Sequence, residues 1–408
     1  MADVNVRRFF RGDRYLWGLI ALFMLVSLLS VYSSSVGVAY SSHHGNTFYF
    51  LRTQFIMLMV GLLIIIVTHW IPYIRYMQYA TIGLGVEIVL LIITLFAGVS
   101  INDATRWLEI PIIGLRLQTS DLAKVALVIY LARGLTVYQH ELKNFKTVTI
   151  RLVAPVALVC LLIMSENLST ALMIFMISMI VLFIGRVPVK FLLGYAGMGL
   201  AAVLLFATLL LVFRKDDNRV EVWKNRIETY FSGESSPDAD YQSNQAKIAI
   251  STGKLFGKLP GGSTQRNMLP QSNSDFIFAI IVEEYGLFGA IIVILSYLAL
   301  MFRGIQIARK CDFAFPALMV LGLTIMIVFQ AFLNMLVAVG LFPVTGQTLP
   351  MISWGRTSVL VISFSLGAIL SVSRVMNARS RSEKLSDCLL YTSPSPRDRQ
   401  KSRMPSSA

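Results

Sequence analysis

Long, uninterrupted runs of apolar residues constrain this chain more than any other feature. About ten runs are present, each roughly long enough to cross a hydrocarbon core of about 30 Å as a helix. The predicted spans are residues 15–35, 53–70, 77–98, 118–138, 150–165, 168–186, 190–213, 276–302, 315–341 and 357–377. The runs are continuous rather than alternating, which excludes a transmembrane β-barrel. With 56% hydrophobic residues and a mean hydropathy of +0.68, the chain is predicted to be an all-α polytopic membrane protein with one large extracytoplasmic loop.

The distribution of positive charge predicts how the chain is oriented. The net charge of +14 comes partly from Lys and Arg in short segments between the spans. With an even number of spans, these segments fall on one side, and the positive-inside rule places both termini in the cytoplasm. No basic stripe with interleaved aromatic residues is present, which argues against a nucleic-acid partner. The three cysteines lack the spacing of a disulfide framework or a zinc site.

The chain divides into three regions. Residues 1–14 form a cytoplasmic N-terminus, and residues 15–384 form a ten-helix membrane domain that includes an extracytoplasmic loop at 214–275. Two stretches of this loop have the spacing of amphipathic helices, residues 220–231 and 241–256. Residues 387–408 show no periodicity, and we expect a disordered or non-native tail without a function in the membrane domain.

Asp275 stands where a polar, turn-prone segment meets an apolar run. The start of a helix stabilises an ionised carboxylate, so Asp275 is either a helix cap or a catalytic residue. A carboxylate at the membrane surface suits a general base that takes a proton from a sugar hydroxyl. Helical spacing predicts that Glu283 lines the same cavity as Asp275. Glu284 points nearly the opposite way and is expected to pair with another helix.

A second polar group lies around the start of the fourth span. Its members are Arg106, Trp107, Gln118, Ser120, Asp121 and Lys124. Ser120 or Asp121 can cap the helix. Lys124 either forms a structural ion pair with Asp121 at i, i+3, or joins Arg106 in holding an anion such as a pyrophosphate. Trp107 belongs either to this site or to the interfacial aromatic belt.

A third polar group surrounds residues 342–358, where prolines and glycines prevent a helix. Irregular backbone at membrane depth must be buried in protein or line a cavity. The hydroxyls and amides available there belong to Thr345, Gln347, Ser353, Thr357 and Ser358. Asn334, inside the preceding span, either links helices by hydrogen bonds or lines the cavity. Arg356 is either a phosphate ligand or an interfacial cation.

Four motifs in this order resemble the SEDS family (shape, elongation, division and sporulation proteins). They are NDATRWLEIP, QTSDLAK, LPQSNSDFIFAIIVEEYG and FPVTGQTLPMISWGRTS. The resemblance implies a ten-span fold in which Asp275 matches the catalytic aspartate, and Arg106, Trp107 and Lys124 match positions implicated in function. Three departures stand out: QTSD replaces QPSE, SWGRTS replaces a pattern with two glycines, and SENLSTA replaces QPDLGTA.

The resemblance implies a peptidoglycan glycosyltransferase that polymerises lipid II with a class B penicillin-binding protein. The segment GGSTQRNMLPQSNSD looks closer to the division member than to the elongation member of the family. We therefore expect a role in septal cell-wall synthesis in the bacterial inner membrane, among other divisome proteins and membrane lipids. A divalent cation such as Mg²⁺ or Mn²⁺ is a further expectation. The alternatives are a lipid II flippase, a non-catalytic scaffold that activates a penicillin-binding protein, and an elongation role.

Overall fold

The computed structural model describes residues 12–42, 46–101, 104–110, 115–164, 167–213, 237–269 and 272–392. Within these ranges, the side chains of residues 41–42, 99–101, 104–106, 110, 115, 206–207, 209–213, 237–240 and 380–392 are not described. The predicted helix at 220–231 therefore lies outside the described residues, as do the last sixteen residues of the predicted tail.

Each of the ten predicted spans coincides with a helix, and two further helices lie between them. In chain order they are α1 (Arg14–Ser34), α2 (Val36–Ser42), α3 (Thr47–Trp70), α4 (Tyr73–Ala97), α5 (Thr119–Val137), α6 (Phe145–Met164), α7 (Leu168–Ile184), α8 (Val189–Phe213), α9 (Pro237–Gly253), α10 (Ile277–Arg309), α11 (Ala314–Val339) and α12 (Arg356–Thr392). Helix α9 confirms the second amphipathic helix predicted in the long loop. Helix α12 continues to Thr392, beyond the predicted start of the tail.

Seven of these helices are long and apolar enough to cross a membrane: α1, α3, α4, α6, α10, α11 and the first part of α12. The apolar parts of α7 and α8 are shorter. Helix α5 has 19 residues, but it carries Asp121, Lys124 and Arg133. The ten spans are thus present as helices. Length and composition alone single out seven of them, because the apolar parts of α7 and α8 are short and α5 carries charged residues.

The innermost helices are α11 and α12. In their most apolar stretches 72% and 78% of the residues are buried, against 28% in α3 and in α4, which lie at the periphery. Helix α12 also packs closely against α3: a Cβ atom added to Gly367 would lie 1.7 Å from Oγ1 of Thr68. The polar residues of α11 and of the segment before α12 are therefore enclosed by protein.

The predicted all-α polytopic membrane fold is confirmed, and a small antiparallel sheet between α4 and α5 is an addition to it. Strands β1 (Val99–Ile101), β2 (Ala104–Ile110) and β3 (Leu115–Gln118) pair in the order β1-β2-β3. The residues of β2, ATRWLEI, are β-branched or aromatic at three of seven positions, which suits a strand. Because β3 runs directly into α5, the sheet fixes the position of the first turn of that helix.

Helix α10 is bent at Gly286, whose φ of 64° lies in the left-handed region that favours glycine. The segment after α9 packs into the bend. The amide of Leu287 donates to the carbonyl of Lys254 (3.0 Å), and the amide of Lys258 donates to the carbonyl of Glu283 (2.9 Å). The bend divides α10 into a short first part that follows Asp275 and a long second part that crosses the molecule.

Candidate functional site

Asp275 lies in the turn just before α10 and is half-buried. Its carboxylate faces the irregular segment between α11 and α12: a Cβ atom added to Gly346 would lie 3.8 Å from Oδ2 of Asp275. The φ of Gly346 is 68°, so a glycine is favoured at this close approach. The structure thus brings together the first and third polar groups predicted from the sequence.

The side chain of Asn334 joins the two segments. Its Nδ2 donates to the backbone carbonyls of Asp275 and of Gln347, each at 2.7 Å. Two carbonyl acceptors on one amide group fix the orientation of that amide, since only its NH₂ can donate. Asn334 therefore links structural segments, which was the first of the two interpretations, and it does so at the backbone of Asp275 itself.

Ser353 and Trp354 hold the other end of the turn. Oγ of Ser353 donates to the carbonyl of Ser274 (2.6 Å) and accepts from the amide of Leu349 (2.8 Å). The amide of Trp354 donates to the carbonyl of Asn273 (2.8 Å). The carbonyls of Asn273, Ser274 and Asp275 are thus bound by α11 or by the segment before α12, which holds Asp275 in one place.

Gln347 is also engaged inside the protein. Its Nε2 donates to Oγ1 of Thr170, at the start of α7 (2.8 Å). Thr345 is half-buried, whereas Thr357 and Ser358 are buried in the first turn of α12. Gln347 and Ser353 are thus bound within the protein and fix the loop. That Thr345, Thr357 and Ser358 line a cavity with Asp275 stays a prediction.

Lys124 forms the ion pair that was one of the two interpretations for it. Its Nζ lies 2.7 Å from Oδ1 of Asp121, and the two side chains are 3% and 7% exposed. Nζ also donates to Oε1 of Gln330 in α11 (2.8 Å), and Nε2 of Gln330 donates to the carbonyl of Thr348 (3.0 Å). This buried chain of contacts leads from α5 to the segment that faces Asp275.

Gln330 was missed in the sequence, although a signal was present. It lies four residues before Asn334 in α11, so both amides are on one face of a helix that is mostly apolar. Thr348 completes the network, because its Oγ1 donates to Oγ of Ser358 (3.1 Å). Two polar residues at this spacing inside an apolar span indicate a shared polar partner, which here is the loop before α12.

The remaining residues of the second group lie around the start of α5. Trp107 in β2 pairs with Gln118 in β3, and Nε2 of Gln118 donates to Oγ of Ser120 (3.2 Å). Trp107 is half-buried and Ser120 is buried. Arg106 precedes Trp107 in β2, but its side chain lies outside the described residues.

Glu283 does not line a cavity with Asp275, which corrects the expectation from helical spacing. Its carboxylate is fully buried and accepts from Nζ of Lys258 (2.6 Å), from the amide and hydroxyl of Thr264 (3.1 and 3.0 Å) and from the amide of Gln265 (3.3 Å). The hydroxyl of Ser263 also donates to it. Residues 258–265, named here the Glu283 loop, therefore take up this carboxylate, and we no longer assign it as a substrate ligand.

Glu284 pairs with another helix, as expected. It accepts from the hydroxyl of Ser33 in α1, and Nη1 of Arg266 lies 3.8 Å from its Oε1. The two neighbouring carboxylates thus hold the Glu283 loop and α1 against the first part of α10.

Replacing Glu283 by Ala is expected to release the Glu283 loop. The change removes the acceptor for five donors, so the free energy of unfolding should fall by about 2 kcal/mol. Trypsin should also cleave faster after Lys258. Limited proteolysis and thermal melting in detergent would measure both effects. Glu109→Ala is the control. Glu109 forms a single ion pair with Arg116 (3.6 Å), and both side chains are exposed, so the loss of this pair should change the stability little. Equal cleavage of the two variants would contradict the anchoring role.

No group of three or more His, Cys, Asp or Glu side chains in the described ranges is placed to hold a metal ion. A divalent cation stays a prediction, and it would need the oxygens of a bound diphosphate as ligands in addition to Asp275.

Comparisons with known proteins identify the family of this chain. The "Probable peptidoglycan glycosyltransferase FtsW" of Geobacter metallireducens is 32% identical over 374 residues, covering 89% of this chain and 96% of that protein. Its counterpart in Trichlorobacter lovleyi is 30% identical over 378 residues, covering 90% and 95%.

Two solved structures share the fold. A chain of a peptidoglycan synthase complex, described for its coordination of polymerisation and crosslinking, is 25% identical with a TM-score of 0.68, covering 90% of this chain and 98% of that one. The rod shape determining protein RodA of Thermus thermophilus is 24% identical with a TM-score of 0.62, covering 90% and 98%, and shows the fold alone. The family of cell cycle proteins comprising FtsW, RodA and SpoVE matches residues 13–378, and this chain belongs to that family.

Proposed function

We propose that this chain is a peptidoglycan glycosyltransferase of the cell-division type, which polymerises lipid II into glycan strands. The relatives that match nearly all of the chain carry that activity in their names. The observation that carries the proposal is the fixed position of Asp275. Its carboxylate faces the segment at Gly346, while Asn334 binds its backbone carbonyl. A half-buried carboxylate held in this way is suited to accept a proton from a bound hydroxyl.

In the proposed mechanism, Asp275 removes the proton from the 4-hydroxyl of the acceptor sugar. The oxygen of that hydroxyl then attacks the anomeric carbon of the donor sugar and forms the new glycosidic bond. The bond to the polyprenyl pyrophosphate breaks, and its electron pair leaves with the pyrophosphate. Stabilisation of the negative charge on this leaving group is expected to contribute strongly to the rate.

Arg106 and Arg356 are the cations proposed to bind the pyrophosphate. Arg356 is half-buried at the first residue of α12, where the helix dipole also favours an anion. Its guanidinium carbon lies 5.7 Å from the ring centre of Trp354, whose backbone amide binds the turn before Asp275. Lys124 is buried against Asp121 and Gln330, so we assign it a positioning role in place of direct contact with phosphate.

Replacing Arg356 by Ala is expected to raise the KM for lipid II about tenfold and also to lower kcat, because negative charge grows on the pyrophosphate as it leaves. The pyrophosphate is charged before and during the reaction, so its cation contributes to binding of both states. Loss of one charge-assisted contact of about 1.5 kcal/mol gives that factor. Initial rates at varied lipid II concentrations would measure it.

Two variants control this prediction. Arg356→Lys keeps a charge and should recover part of the binding. Arg379→Ala removes an exposed arginine whose guanidinium pairs with exposed Asp312, and it should leave KM unchanged. An unchanged KM in Arg356→Ala would assign Arg356 to the interface instead.

We propose further that the protein acts with a class B penicillin-binding protein in the inner membrane at the septum, with both termini cytoplasmic and Asp275 on the outer face. The solved relative in a peptidoglycan synthase complex supports a partner of this kind.

The test of the function is polymerisation of purified lipid II by the protein and its cognate partner, with the transpeptidase of the partner blocked. Glycan chains on a gel would support the proposal, and their absence with a folded complex would contradict it.

A further inference from the structure

A groove lies between α4, α5 and α12, formed by other residues than those around Asp275. Its volume is about 450 Å³, within the range of about 300–1,000 Å³ for small-molecule sites. It runs along one face of α4 from Arg75 to Glu87, which lie about 18 Å apart at 1.5 Å per helical residue. Across from Glu87 and its neighbours lie apolar side chains of α5, among them Leu122, Val125 and Ala126.

Glu87 is the unusual residue of this groove. It lies near the middle of α4 and is 4% exposed, yet its Oε1 accepts no hydrogen bond from any described residue. A carboxyl group in an apolar membrane interior is unfavourable unless it is hydrogen-bonded, and such a residue indicates a functional site. The chain thus keeps a polar acceptor in a cavity that its own described side chains do not satisfy.

Water is a poor partner for Glu87 here. A buried water needs two to four polar contacts. The other polar side chains of the lining are those of Arg75, Tyr76 and Tyr79, and their backbone positions are at least two helical turns from Glu87. The hydroxyl of Tyr76 donates to the carbonyl of Thr68, and the neighbouring residues of α5 are apolar. A suitable ligand must fill the apolar space of the groove and donate one hydrogen bond to Glu87. An otherwise apolar molecule with one hydroxyl group does both. An ammonium group would cost more free energy to bring to this depth than a neutral hydroxyl.

The groove is kept open at Gly83. This residue lies one turn before Glu87 on the same face of α4, and a Cβ atom added to it would meet nothing within 4 Å. Gly85 has equally free surroundings but does not line the groove. The two glycines therefore provide a matched pair of sites, at which the same larger side chain fills the groove or leaves it open.

We propose that this groove, named the Glu87 groove, binds an apolar molecule that carries one hydroxyl group, and that this hydroxyl donates to Oε1 of Glu87. The ligand class is a membrane-soluble alcohol that enters from the surrounding lipid. The site is distinct from the one at Asp275, so the inference does not depend on the proposed glycosyltransferase activity.

The test is photolabelling of the full chain in phospholipid vesicles with a diazirine-bearing sixteen-carbon alcohol and with its methyl ether. Mass spectrometry would map the label to peptides of α4 and α5. The alcohol should label the wild-type groove about five- to tenfold more than the ether, the ratio that one buried hydrogen bond gives. Glu87→Leu should lower labelling by the alcohol to the level of the ether.

Two glycine variants separate binding in the groove from general lipid contact. Gly83→Leu should reduce labelling by both probes, and Gly85→Leu should leave both unchanged. Equal wild-type labelling by alcohol and ether would overturn the proposal. The same holds if Glu87→Leu keeps its preference for the alcohol, or if Gly83→Leu and Gly85→Leu behave alike. Glu87→Leu is expected to fold, because it replaces a buried carboxyl group by an apolar side chain of similar size. The two glycine variants test the site without changing Glu87.

Discussion

Asp275→Asn is expected to abolish polymerisation of lipid II while the protein stays folded. A positioned general base contributes about 100- to 10,000-fold to the rate, and an amide cannot replace a carboxylate as a base. Fold and position should survive, because Asn334 and Ser353 bind the backbone carbonyls of Asp275 and Ser274 rather than the carboxylate. Asn has nearly the same shape as Asp, so the approach to Gly346 is also kept. We therefore expect the rate to fall by at least about 100-fold.

The measurement compares glycan chains formed from lipid II by wild type and variant, each with the partner protein and a blocked transpeptidase. Asp312→Asn is the matched control, since Asp312 is exposed and pairs with exposed Arg379. Thermal melting in detergent would establish that all three proteins are folded. Wild-type rates for Asp275→Asn would place catalysis elsewhere and favour the scaffold or flippase alternatives.

The membrane fold could be predicted from the sequence because its main determinant is local. A run of apolar residues specifies a membrane helix without reference to the rest of the chain, and all ten predicted spans are helices. The sheet of β1 to β3 was not predicted, since its pairing depends on contacts between strands that are individually short and partly polar. The last span was predicted to end near residue 377, whereas helix α12 continues to Thr392, because the boundary of a span does not determine where the helix ends outside it.

The site was predictable in its parts but not in its connections. Asp275 and the segment at 342–358 were identified separately, and Asn334 proved to be the contact between them. The prediction for Glu283 was wrong because it assumed one helix from Asp275 onwards. Helix α10 begins at Ile277, after Asp275, and the Glu283 loop comes from a distant part of the sequence. No helical spacing could reveal that loop.

The buried pair of Asp121 and Lys124 gives the second large expected effect. Lys124→Met leaves the carboxylate of Asp121 buried without its partner, and Asp121→Leu does the same to the ammonium group. Removal of one member of a buried pair costs about 3–5 kcal/mol, whereas replacement of both by apolar residues is often neutral. Each single variant should therefore melt at a much lower temperature in detergent, and the double variant Asp121→Leu/Lys124→Met should regain most of the loss.

The double variant then separates structure from function. In it, Gln330 loses the donor that orients its amide, and its contact with the carbonyl of Thr348 is weakened. That contact steadies the segment that faces Asp275, and a displacement of about 1 Å at reacting groups costs about 100-fold in rate. We expect a stable protein that polymerises lipid II at least about tenfold more slowly than wild type. If activity returned together with stability, Lys124 would serve the fold alone. If the double variant stayed as unstable as the single ones, an unpaired buried charge would not be the cause of their instability.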